Sequence, residues 1–246
     1  MTHPNRGLRK EYLGALGLET WVRRAPAATA IGPVADADTA ETQRADSAEI
    51  SRADINSPRE GVYDWAQLRE RVAACTRCGL SATRTQTVFG VGDIRAPWFV
   101  VGEAPGADED RAGEPFVGRA GQLLNSMLRA IGLKREQVFI ANVLKCRPPH
   151  NRDPQASETG ECLPYLERQI ALVRPKLLLV VGRIAAHNLL HTTTPLGRLR
   201  QQVHHFGASR VPLVVTYHPA YLLRSPADKR KAWEDLKFAR DVVARG

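Results

Sequence analysis

Four short apolar runs constrain this chain more than anything else in it: Trp98–Val101, Val138–Leu144, Lys176–Val181 and Val211–Tyr217. Each is β-branched or aromatic in part and bounded by Gly, Pro or charge, as buried strands are. Between them lie helical patterns such as GQLLNSMLRAIGL and CLPYLERQIALVRP. Strands alternating with helices predict an α/β fold with a mostly parallel sheet covered on both faces.

The sequence ahead of this pattern differs. Residues 6–24 carry apolar positions at Tyr12, Leu13, Leu16, Leu18 and Trp21, and predict a short helical segment within residues 1–24. Residues 25–60 are rich in Ala, Asp, Ser and Thr, lack aromatics, and predict a flexible linker. The domain is placed at residues 61–246, beginning near Tyr63 with the amphipathic DWAQLRERVAAC. No apolar run reaches the roughly 20 residues of a membrane span. The start has no apolar stretch before a small-residue cleavage site, so the expected compartment is the cytoplasm. Net charge is +9, and residues 1–60 are nearly neutral, so the excess lies in the domain. Such a field attracts polyanions, although a solvated surface accounts for the same charge.

Polar residues fall at the strand ends: Glu103 after the first run, Asn142 within the end of the second, His218 after the fourth. Open α/β sheets bind ligands outside the carboxyl ends of their strands, so these three are expected in one crevice. The cysteines are Cys75, Cys78, Cys146 and Cys162, spaced C-x2-C, 67 residues, then C-x15-C. In a reducing compartment the set suits zinc or an iron–sulfur cluster, and the spread second pair favours the cluster. Two buried cysteines beside a fortuitous C-x2-C are the plain alternative. A cluster would hold Arg77, Arg84, Lys145 and Arg147 in place to meet phosphates.

GEAPGADEDRAGEPFVGRAGQLL (102–124), NVLKCRPPHNRDP (142–154) and TYHPAYLLR (216–224), with the four cysteines interleaved, strongly resemble the family 4 uracil-DNA glycosylases over roughly residues 63–240. The resemblance implies a three-layer fold with a central, mostly parallel four-stranded sheet, and a 4Fe-4S cluster on the four cysteines, with zinc as the alternative. It implies a monofunctional hydrolase of base-excision repair that flips uracil out of single- or double-stranded DNA and cuts its bond to deoxyribose. The expected species is a monomer that stays off membranes, its N-terminal tail free to meet a repair or replication protein.

The same resemblance assigns roles. Backbone at Glu103 and Ala104 contacts the uracil edge, Phe116 stacks on the ring, and Glu109 obstructs a thymine methyl. Asn142 donates to uracil O4 and accepts from N3–H, a pattern that cytosine reverses. His218 stabilises the charge arising on O2. Leu222 or Leu223 fills the hole left in the duplex, with Arg224 on the backbone. Ala104 stands where the best-studied relatives have an Asp, which leaves Glu103 and Asn151 as candidates for holding the attacking water. One branch of the superfamily captures uracil-DNA covalently through a loop histidine near His150, but this chain lacks the basic insertion that goes with it. The alternatives to an enzyme are a covalent or non-catalytic uracil-DNA binder and an iron–sulfur redox sensor.

Overall fold

A computed structural model describes residues 63–245; the expectations for residues 1–24 and 25–60 lie outside the described residues. Four parallel strands form the centre of the sheet: β2 (Trp98–Gly102), β3 (Phe139–Asn142), β4 (Leu177–Val181) and β6 (Val211–Thr216). β1 (Val91–Gly92) and β5 (His204–Phe206) add short antiparallel edges, giving the order β1-β3-β2-β4-β6-β5. The sheet therefore has six strands where four were expected. The two extra strands are only two and three residues long, too short to leave a periodic signal in sequence.

β2, β3 and β4 are buried at every position. A parallel strand packed on both faces carries a continuous apolar run, which is why these elements were legible. Successive side chains divide between two cores. Phe99, Val101, Phe139 and Leu178 pack with α4 (Ala156–Val173) and α5 (Arg183–Leu190) on one face. Trp98, Val100, Ile140 and Leu179 pack with α3 (Arg119–Ala130), α7 (Pro219–Arg224) and α8 (Lys229–Arg245) on the other. These three layers are the expected ones.

Local chemistry fixes the remaining boundaries. α1 (Trp65–Ala73) starts in a capping box in which Asp64 accepts from the Gln67 amide at 2.9 Å and Gln67 accepts from the Asp64 amide at 3.2 Å. α1 closes over a third apolar cluster that contains Leu80, Phe89, Leu144, Tyr165 and the cysteines. α2 (Ala107–Ala112) follows the turn after β2 and ends at Gly113, whose φ of 75° suits a helix C-terminus. α6 (Leu196–Leu199) is a single turn before β5.

Candidate active site

The carboxyl ends of β2, β3 and β6 open on a cavity of about 440 Å³. Of the expected residues, Glu103, Ala104, Glu109, Phe116, Asn142, Asn151, His218 and Arg224 line it. The three strand-end groups therefore meet in one place.

The register explains how close they come. Gly102 sits beside Asn142 in the β2–β3 ladder. A Cβ on Gly102 would collide with Oδ1 of Asn142 and reach the Phe116 ring at 2.7 Å. Glycine at the last position of β2 thus lets the carboxamide and the ring share the cavity floor. Asn142 is 2% exposed, and its carboxamide lines the cavity, where a ligand can reach it.

Phe116 holds a left-handed backbone, φ 55°, which strains a bulky residue. Both sides of it are clamped. Arg135 donates to the Pro115 carbonyl at 2.5 Å and the Phe116 carbonyl at 3.3 Å. Glu109 accepts from the Val117 and Gly118 amides at 3.0 and 3.2 Å, and from Gly106 at 3.1 Å. A single carboxylate thus ties the turn after β2 to the Phe116 loop. The ring lies 5.6 Å from the imidazole of His218, tilted by 32°.

His218 opens α7 as its N-cap, and its Nδ1 accepts from the Ala220 amide at 3.1 Å. That bond puts the ring proton on Nε2, which is left to donate. Burial, helped by the nearby Arg224 cation, holds the imidazole down to about 4. It is therefore a neutral donor near pH 7. Gly182, φ 99°, backs the ring: a Cβ there would stand 3.0 Å from that of His218. Glu103 moves the opposite way. Burial, with Asp153 adding repulsion and Arg183 opposing it, pushes its carboxyl up to about 7. Asn151 offers less, because its Oδ1 already accepts from Arg147 at 2.7 Å.

Several expectations change. Leu222 is 1% exposed and belongs to the core, because α7 turns that position inward; Leu223 is 37% exposed and faces outward. All four cations near the cysteines already have partners. Lys145 is buried, Arg84 donates to Cys146 Sγ at 3.0 Å, and Arg77 pairs with Glu161. Only Arg147 keeps a place near the cavity, through Asn151. His150 is exposed and does not line the cavity. Sequence reasoning missed Asp153 and Tyr221, which do line it. Tyr221 stacks on Tyr217 at 5.3 Å, with Arg200 4.7 Å above the Tyr217 ring. The aromatic spacing in TYHPAY was the available signal for this stack; nothing in sequence pointed to Asp153.

The four cysteines line one small void with Lys145, Arg84 and Tyr165. All are free thiols, Cys75 and Cys78 half-buried and Cys146 and Cys162 buried. Burial pushes the Cys162 thiol up to about 12 and raises Cys146 and Cys78. Among the described residues, no three ligating side chains are grouped so as to hold a metal ion.

A family model described as the uracil DNA glycosylase superfamily matches residues 89–237. A type-4 uracil-DNA glycosylase of Archaeoglobus fulgidus is 43% identical over 180 residues, spanning 71% of this chain and 90% of that protein. The type-4 enzyme of Thermotoga maritima is 38% identical over 180 residues, 72% of this chain and 93% of its own length. A type-5 uracil-DNA glycosylase of Pyrobaculum aerophilum is more distant, 29% identical over 204 residues, with 69% and 87% covered.

Proposed function

The chain belongs to the uracil DNA glycosylase superfamily, and on that premise we propose that its cavity takes a uracil flipped out of DNA and hydrolyses the bond to deoxyribose. It is a uracil-DNA glycosylase, a hydrolase of DNA repair. One observation carries the mechanism: a neutral imidazole with its proton on Nε2 lines the same cavity as the Asn142 carboxamide.

Asn142 donates to uracil O4 and accepts from N3–H. Cytosine offers the reverse pattern and would leave two buried groups unpaired, the costly form of mismatch. Phe116 stacks on the ring, and the backbone at Glu103 and Ala104 meets its edge. Glu109, fixed by three amides, bounds the pocket where a 5-methyl group would enter. As the glycosidic bond breaks, negative charge gathers on O2, where His218 Nε2–H stabilises the leaving anion without transferring its proton. Glu103, ionised in part at neutral pH, accepts a proton from the water that attacks C1′. Asn151 offers its amide N–H groups beside that water. Leu223, rather than Leu222, fills the vacated position in the stack, and Arg224 meets the backbone.

The cysteine site fits an all-thiolate cluster. Four free cysteines surround one void, and the Lys145 amide and Arg84 donate to two of the sulfurs. Four thiols lining one void make an all-sulfur ligand set, as a 4Fe-4S cluster takes, and zinc is the alternative. Such a cluster would brace the loops carrying residues 75–78 and 146 against α4. The reading is tested with oligonucleotides carrying a single uracil, cytosine or thymine, cleaved by alkali after incubation. Strand breaks at uracil alone are expected; an unbroken uracil strand would refute it.

A further inference from the structure

Lys145 is 1% exposed and carries its ammonium into the interior. Nζ donates to the Asn142 carbonyl at 2.8 Å and to Gln169 Oε1 at 2.6 Å. Gln169, itself fully buried on α4, donates in turn to the Phe89 carbonyl at 2.9 Å. The backbone of Lys145 is engaged as well: its amide donates to Cys162 Sγ at 3.2 Å, and its carbonyl accepts from Val88 at 2.7 Å. One residue thus touches the last residue of β3, helix α4, the 88–89 segment and the cysteine site. Burying an ammonium is expensive, and a neutral side chain would fill the space at far lower cost. The charge is therefore placed for what it holds.

What it holds is the peptide of the base-reading residue. Asn142 ends β3, where the ladder no longer fixes both of its sides. Its carboxamide must keep two hydrogen bonds in line with a base edge, and misplacement of about 1 Å at such a site costs roughly 10²-fold. We propose that Lys145 is the positioning residue for Asn142, joining the uracil-reading amide to the four-cysteine site. The proposal rests on Asn142 reading uracil. It gives the cysteine site a task beyond bracing loops: the segment that ends in Cys146 also sets the aim of the carboxamide.

The test uses the purified full-length holoprotein and Lys145→Met, which keeps length and apolar stem but removes the donors. Iron per protein and the inhibition constant of free uracil are both read. Lys145→Met is expected to keep its iron while binding free uracil at least tenfold more weakly. In an Asn142→Ala background the same substitution is expected to cost almost nothing further, because its effect runs through Asn142. An unchanged uracil inhibition constant, or an equal loss in the Asn142→Ala background, would overturn the proposal. Should Lys145→Met not accumulate as folded protein, Gln169→Leu removes the second anchor and keeps the lysine. A roughly threefold weaker uracil affinity with iron retained is then expected, and no change would overturn it. If the unaltered protein itself is not inhibited by uracil, it is the reading of Asn142 that has failed.

Discussion

At the scale of single residues, two titratable groups have been moved in opposite directions by the same cavity. His218 is kept neutral, and Glu103 is held near neutrality from above its usual range. Removing the donor with His218→Ala is expected to slow single-turnover uracil release by about 10²-fold or more. Glu103 predicts both activity and stability. In the proposed mechanism Glu103 is the base and must be ionised, so excision is expected to rise with pH through about 7, and Glu103→Gln should remove that limb of the profile. A carboxyl with a raised folded pKa binds its proton more tightly folded than unfolded. Its stabilisation is present below about 4.5 and is lost as pH rises through about 7. Glu103→Gln should therefore raise Tm at pH 8 and leave it nearly unchanged at pH 4. Asn142→Asp exchanges a donor for a second oxygen; steady-state excision of uracil should fall by about 10²-fold, narrowing the gap to cytosine. The identities of Glu103, Asn142 and His218 were legible because strand-end polar residues stand out against apolar runs. The protonation of Glu103 and His218 was not, since it depends on burial and, for Glu103, on Asp153 and Arg183, far away in sequence.

At the scale of elements, the site is made where β2 stops. Gly102 leaves the space, Glu109 closes the turn onto the Phe116 loop, and Arg135 secures that loop from α3's far side through Asn125 as well, at 3.2 Å. Gly102→Ala is expected to leave a folded protein, by circular dichroism and melting, whose affinity for free uracil is lost, because its methyl displaces both Asn142 and Phe116. The strands themselves were readable from their apolar runs, and α3 and α4 from their periodicity. β1 and β5 were not, and neither was the inward turn of Leu222, because one position of rotation on a six-residue helix decides which of two adjacent leucines is buried. The acids that crowd GEAPGADEDRAGEP looked out of place in a basic protein. Glu109 and Asp110 are there to accept backbone amides: three for the first, and Thr85 at 3.0 Å for the second.

At the scale of the molecule, a basic domain carries an acid-lined pocket, and the two have separate duties. In the proposed function the field gathers DNA, while the pocket reads one base. Every residue lining the cavity and the cysteine site lies at or beyond Val72. Removal of residues 1–60 is therefore expected to leave uracil excision within about twofold, measured on the oligonucleotide substrate at equal iron content. The cysteine spacing foretold a shared site, but it could not foretell that the neighbouring cations take partners within the fold. Arg84, Lys145 and Arg77 were each named for DNA from proximity in sequence; Lys145 is buried, and the half-buried Arg84 and Arg77 hold Cys146 and Glu161. The most direct measurement of the whole account is the number of free uracil molecules released per protein molecule from excess uracil-containing DNA. Many per protein, with the protein recovered unmodified, is the predicted result. One or none, with DNA retained on the protein through denaturation, would contradict it.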